Sequence, residues 1–437
     1  MGNSENLKKR LLANKQYSAG GLYSVCSSNQ AVLEASILQA KEDNSILIVE
    51  STSNQVNQYG GYTGMQAADF AAYIDKLAQS LEFPFEKIVL GGDHLGPNVW
   101  QGEKSGSAME KAEALVKSCV KAGYKKIHLD ASMFCLDDSG DRMKPLADEI
   151  TAERTARLCR ACEDTANEFN AGDKPLYVIG TEVPVPGGSK EKETFILPTS
   201  RTSIENTLAA MEGAFKKACL EDAWERVIAV VAQPGVEFGD DHVFYYDREK
   251  AKELSRALDN SPLVFEAHST DYQTKQSLKQ MVEDHFCILK VGPALSYAYR
   301  EALFSLAKIE KELSFKIASP SDLEETVEMV MLKSSPNYWE KYYHGTEEEK
   351  RFARKFSLSD RIRYYWPHKQ LNEAVEKLFS NLSSVGVPFT LVSQYMPHLA
   401  MPFCEGKIRK SPYDLAIAHI RCILELYSFS CGFKNEG

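Results

Sequence analysis

The 437-residue sequence has no apolar run near the ~18 residues that a membrane-spanning helix requires, which excludes a spanning role. Met1 to Asn6 is polar and lacks a secretory apolar core, and Asn6 stands where a myristoylation signal needs Ser or Thr. A cytoplasmic protein is expected. Positive charge is in deficit, with 51 Lys and Arg against 61 Asp and Glu, and the net charge of −10 repels phosphate backbones and acidic membranes. Neither nucleic acid nor membrane is therefore an expected partner. No Walker A sequence occurs, which removes the P-loop route to nucleotide binding. Gly20-Gly21 precedes the first β-rich run, whereas a dinucleotide-binding turn would follow it. The ten cysteines show no disulfide spacing, and the one C-x-x-C, Cys159 and Cys162, lies in a helical pattern with no second pair nearby. A reducing compartment fits that usage.

What is present is ordinary globular composition, 43% hydrophobic and 26% charged, enough for a sizeable core. Eight β-rich runs occupy the first two thirds: 21–27, 45–51, 87–94, 126–132, 176–183, 226–233, 263–269 and 286–293. Most are nearly continuous apolar stretches, as parallel strands buried on both faces require. Segments of helical periodicity separate them, such as 108–123, which Gly123 closes as a C-terminal cap would. Eight strand-and-helix units predict an α/β fold, a (β/α)₈ TIM barrel over residues 1–293. Residues 294–437 read as the last barrel helix and a helical C-terminal extension, packed on the barrel or serving as a contact in a homo-oligomer.

In such a barrel the C-terminal ends of the strands share one mouth, so polar residues there face a common cavity. The ends supply Ser24 and Ser27, Glu50 and Thr52, Asp93 and His94, Asp130 and Ser132, Glu182, Gln233, Glu266 and His268, and Lys290. Gathering these charges without compensation would cost several kcal/mol per unpaired group, on the order of the burial penalties known for ions. A divalent metal held by His94, His268 and a carboxylate such as Glu182 would balance them, and imidazole with carboxylate suits Zn²⁺ or Mn²⁺. His128, two residues deeper between Ile127 and Leu129, reads as a structural histidine. Lys290 ends a buried run and calls for a phosphate or carboxylate partner.

The loop 53–64 holds Asn54, Gln55, Asn57 and Gln58 ahead of a glycine cluster, amides able to bond a polyhydroxylated ligand. Pro184 to Ser189 could form an anion-binding nest of backbone N–H groups. In the extension, residues 360–368 interleave basic and aromatic side chains. They read as a packing segment, with Arg361 or Arg363 able to reach over the mouth to a substrate phosphate. Ser24, Asn54, Asp130, Gln233, Lys290 and Arg363 are accordingly the candidate substrate-binding residues.

Several stretches closely resemble the GatZ/KbaZ family, the second subunits of class II D-tagatose-1,6-bisphosphate aldolase. They are ESTSNQVNQYGGYTG (50–64), GGDHLGPN (91–98), KIHLDASM (126–133), GTEVPVPGG (180–188), QPGVEF (233–238), EAHSTDYQT (266–274), LKVGPAL (289–295) and SLSDRIRYYWPH (357–368). The resemblance implies a TIM barrel with a role in galactitol or N-acetylgalactosamine breakdown. There the chain would act beside a separate catalytic aldolase subunit, supporting that subunit's activity and stability. It also admits a second activity, D-tagatose 6-phosphate 4-epimerase, in which a metal-assisted retro-aldol and aldol sequence yields D-fructose 6-phosphate. Asp93-His94 further resembles the pair of class II aldolases in which Asp is the acid/base and His binds zinc. On that basis Asp93 would handle the C4 hydroxyl proton, with Glu50 or Glu266 as a second acid/base. The sequence leaves accessory subunit and independent enzyme both open.

Overall fold

Parallel strands buried on both faces need helices outside and side chains filling the interior, and the eight β-rich runs meet both needs. The computed structural model describes residues 3–17, 20–142, 144–169, 172–181 and 196–433. Its barrel strands are β1 (Leu22–Cys26), β2 (Leu47–Thr52), β3 (Ile88–Leu95), β4 (Lys126–Leu129), β5 (Leu176–Ile179), β6 (Val227–Val231), β7 (Val264–Ala267) and β8 (Phe286–Val291). Each pairs in parallel with its sequence neighbours, and β8 returns to β1 to close the barrel. No strand extends more than one residue beyond its predicted run, although β4 stops at Leu129 and β5 at Ile179, short of the ends predicted for them. A short hairpin, Glu237–Phe238 with Val243–Phe244, follows β6. All ten cysteines are free thiols, and among the described residues no helix is long and apolar enough to cross a membrane.

Strand alternation sorts the interior into layers. Leu22, Ile48, Val89, Val264 and Ile288 form an apolar layer at the N-terminal ends. Two residues further along the same inward faces come Ser24, Glu50, Gly91, Glu266 and Lys290, and the register of β3 with β4 sets Lys126 beside Gly91. Two residues further again come Cys26, Asp93, His128 and His268. Gly91 has a steric reason: a Cβ there would stand 2.7 Å from Glu50 Oε1 and push that carboxylate out of the layer.

Both chain ends seal this barrel. Helix Asn3–Tyr17 brings Leu7 and Leu11, one turn apart, into the apolar layer, and Asn14 Nδ2 donates to the Val282 carbonyl at 2.9 Å. The polar sequence around those two leucines hides this helix from a reading by composition. Helix Pro293–Glu312 follows β8, yet the wall position between helices Lys275–Glu283 and Gln30–Asp43 belongs to helix Pro412–Ser430, which packs on both and on β1. Tyr427 Oη donates to the Thr270 carbonyl at 2.7 Å, and Gly21 N–H donates to the Cys431 carbonyl at 3.1 Å. Helix Pro293–Glu312 lies along the outside of this last helix.

Two outcomes follow for stability. A chain ending at Lys410 should lose its cooperative thermal transition, because the apolar faces around β1 become solvent-exposed; an unchanged melting midpoint would refute the role given to the last helix. Gly91→Ala should lower stability by about 1–3 kcal/mol, the range for overpacking a filled interior, read as a reduced urea midpoint at constant slope.

Candidate metal centre

The third inward layer brings three imidazoles together. The ring centroids of His94 and His268 are 4.8 Å apart, those of His94 and His128 5.1 Å, and those of His128 and His268 5.3 Å. Asp93 joins them, and the four residues each offer a ligand atom, all within 4.8 Å of one another. β3 reaches this point with two consecutive residues because its alternation breaks there. Its register with β4 shifts between Gly92 and Leu95, and His94 adopts a left-handed φ of 49°. Such an irregularity re-aims a side chain at a functional rim. Gly96 follows because a side chain at that position would overlap the Asp130 carbonyl oxygen.

Each imidazole has one ring nitrogen against a carboxylate. His94 Nδ1 lies 2.8 Å from Asp130 Oδ2, His268 Nε2 3.0 Å from Glu266 Oε1, and His128 Nδ1 3.1 Å from Asp93 Oδ1. Of the opposite nitrogens, His94 Nε2 lies 3.8 Å from Asp93 Oδ2 and His128 Nε2 is buried with no hydrogen-bond partner, while His128 Nδ1 also accepts from the His94 backbone N–H at 3.2 Å. A carboxylate on the far nitrogen is how metal-binding histidines are oriented and made more basic. The donor set of neutral imidazoles and a carboxylate fits a divalent cation of the Zn²⁺ or Mn²⁺ type. Without such a cation, protons and charges adjust to one another. Burial alone would lower His94, but Asp93 and Asp130 outweigh it and raise His94 to about 9. Burial disfavours the Asp93 charge, yet His94, His128 and His268 hold its carboxyl well below the usual range. Burial, aided by repulsion from His94, leaves His268 below its ordinary value despite Glu266.

The layer beneath is a chain of ion pairs. Lys126 Nζ lies 2.6 Å from Glu50 Oε1 and 2.6 Å from Glu266 Oε2, and all three side chains are out of solvent contact. Lys290 pairs with Glu50 and, at 3.1 Å, with Asp93 Oδ1, while Ser24 Oγ donates to Glu50 Oε2 at 2.6 Å. Burial opposes the Glu266 charge, but Lys126 and His268 hold its carboxyl down to about 2.

Above the metal residues opens a cavity of about 610 Å³. Of the residues singled out from sequence, Thr52, Asn54, Gln55, Asn57, Asp93, His94, His268, Lys290, Arg361 and Arg363 line it. Glu50, Glu266, Ser24 and Asp130 do not: they are entirely buried and reach the cavity only through Lys290, His268 and His94. That placement makes them positioning groups and leaves Asp93, with Asp271, among the carboxylates that line the cavity. Gln233 lies past the end of β6, where its Oε1 accepts from the N–H groups of Gly235 and Val236 at 2.9 and 3.0 Å, so it holds a turn. Glu182 and the segment Pro184 to Ser189 fall outside the described residues. His128, expected to be structural, belongs to the metal layer because β4 ends at Leu129 and leaves it one residue from the mouth. Lys126 escaped notice, although its inward face is shared with His128 and Asp130 at a spacing of two. Loop amides are largely used within the loop: Asn57 Oδ1 accepts from Tyr59 N–H and Gly61 N–H, and Gln55 Oε1 from Thr52 N–H.

Comparison with known proteins agrees with this architecture. Residues 7–432 match the family model described as D-tagatose-1,6-bisphosphate aldolase subunit GatZ/KbaZ-like. A crystal structure from Sinorhizobium meliloti 1021, described as a probable tagatose 6 phosphate kinase, is 43% identical, with 94% of this chain and 100% of that one covered and a TM-score of 0.85. A fructose-bisphosphate aldolase from Campylobacter jejuni is 14% identical, covers 88% of this chain and 94% of its own, and has a TM-score of 0.44, too low to carry functional weight. With a family match over nearly all described residues and a 43%-identical structure along its length, this chain belongs to the GatZ/KbaZ-like family of D-tagatose-1,6-bisphosphate aldolase subunits.

Proposed function

We propose that the chain is itself a metal-dependent enzyme, a D-tagatose 6-phosphate 4-epimerase that forms D-fructose 6-phosphate by breaking and remaking the C3–C4 bond. The observation that carries this reading is the set of three carboxylate-held imidazoles that, with Asp93, each offer a ligand atom within 4.8 Å of one another. His94, His128 and His268 would hold the cation, which when bound supplies a Lewis acid for the ketose carbonyl. Asp93, ionised and lining the cavity, takes the proton from the C4 hydroxyl as the C3–C4 electron pair moves toward the C2 carbonyl. Rotation of the resulting aldehyde presents its other face, and re-addition returns the proton from Asp93 to the new C4 oxygen with inverted configuration. Lys290, 3.1 Å from Asp93 Oδ1, holds that carboxylate in place and offers an ammonium to developing negative charge. Asp130 and Glu266 orient His94 and His268, and Lys126 holds Glu266 and Glu50 at fixed separation.

The description of the family as an aldolase subunit supports a second reading, in which the chain binds and stabilises a separate class II tagatose-bisphosphate aldolase catalytic subunit. The two readings part on one experiment. Purified chain alone, given tagatose 6-phosphate with Zn²⁺ or Mn²⁺, should yield fructose 6-phosphate, and Asp93→Asn should cut turnover by about 10²–10⁴-fold, the usual worth of a general acid/base. No turnover by the purified chain, with tight co-purification of an aldolase chain, would favour the accessory reading.

Metal analysis tests the ligand set directly. One equivalent of divalent metal per chain is expected, and His94→Ala, His128→Ala and His268→Ala should each lose it while keeping the native circular dichroism spectrum. Full metal occupancy in the His128→Ala protein would remove His128 from the site.

A further inference from the structure

Two guanidinium groups in the cavity wall have no carboxylate in direct contact, and Arg363 feels Asp360 and Asp271 only at longer range. Asp360, with a left-handed φ of 44°, starts the single turn Arg361–Tyr364, and Arg361 and Arg363 from that turn both line the cavity. Arg361 is only 4% exposed, its guanidinium carbon lies 3.1 Å from the centroid of the Tyr342 ring, and Nη1 donates to the Tyr338 carbonyl at 3.3 Å. Its Nε is buried without a hydrogen-bond partner. Arg363 directs its Nη groups to the carbonyls of Ser359 and Asp360 and to Tyr364 Oη. The Asp360 carboxylate is engaged elsewhere, accepting from Ser296 Oγ at 2.5 Å and facing Arg300 Nε at 3.9 Å. Among the described residues neither Arg361 nor Arg363 has an ion-pair partner. A nearly buried cation left so is costly unless a ligand anion completes it.

The position where barrels commonly hold a phosphate is already filled. At the end of β8, Asp271 Oδ1 accepts from Gly292 N–H at 3.0 Å and Ala294 N–H at 2.8 Å, so a carboxylate of the protein satisfies the N-terminus of helix Pro293–Glu312. An anionic ligand in this cavity must be answered elsewhere.

We propose that Arg361 and Arg363 form a phosphate-monoester subsite, the two guanidinium groups of the cavity wall supplying its positive charge. The extension, not a barrel loop, then anchors the ligand. The metal layer on the floor and the guanidinium pair on the wall would hold the two ends of an extended ketose phosphate. This assignment rests on the preceding functional reading only for the identity of the sugar, since the anion site is defined by its own residues.

Calorimetric titration of the full-length chain with inorganic phosphate tests it. The unaltered chain should bind phosphate, Arg361→Met and Arg363→Met should each weaken binding at least tenfold, and Arg361→Lys, which keeps charge but loses the planar guanidinium, should fall between. Absence of turnover by the unaltered chain with intact phosphate binding would count against the epimerase and not against this subsite. Unchanged phosphate affinity in folded Arg361→Met and Arg363→Met, or in Arg361→Lys should the methionine variants not fold, would overturn the assignment. Displacement of phosphate by D-glucuronate more readily than by tagatose 6-phosphate would overturn it too, by marking a carboxylate site.

Discussion

Opposite charges alternate through the centre of this barrel, from Lys290 to Glu50 to Lys126 to Glu266 and on to His268, with no solvent at Glu50, Lys126 or Glu266 to stabilise any of them singly. Ions withdrawn from water are tolerable only when every one is paired, so the members of this chain are mutually dependent. Its upper end orients His268, and a branch through Lys290 and Asp93 orients His128. The apolar layer below and the metal layer above are thereby joined by a rigid electrostatic lattice. Side chains that must share a cation need such rigidity more than they need individual basicity.

The extension contributes to both the architecture and the cavity. Helix Pro412–Ser430 takes a place on the barrel wall, while Arg361, Arg363 and Tyr338 from earlier in the same segment face the cavity. Stacking of Tyr338 on Tyr364, at 4.9 Å between centroids and 11° between planes, with Tyr62 of the β2 loop edge-on to Tyr364 at 5.0 Å, ties the extension to the mouth of the barrel. Aromatic contacts of this kind add to the area they bury and fix the guanidinium groups beside them.

The barrel was legible in the sequence because continuous apolar runs separated by helical periodicity have few other solutions, and His94, His268, Asp93 and Lys290 were legible because strand ends converge. What the sequence concealed depends on depth and on distant partners. Whether Glu50 faces a ligand or lies beneath one is decided by Lys126 and Gly91, residues of other strands. His128, placed two residues deeper than Asp130 and read as structural, comes close to His94 and His268 because β4 stops at Leu129. Gln233 has the composition of a binding residue, but its backbone turns away and its amide closes that turn. The N-terminal helix buries only two of its three leucines among polar neighbours, a pattern that gains meaning once an open apolar layer stands opposite them.

Because residues near both termini complete the same barrel, with Leu7 at its floor and Tyr427 against its wall, the order of synthesis matters. During translation the ribosome must release residues as far as helix Pro412–Ser430 before β1 acquires its outer cover, so the nascent molecule carries an unfinished wall until then. Contacts so distant along the chain also slow the search for the native state. Production in the cell should therefore depend on chaperone capacity more strongly than the finished protein's compactness would suggest.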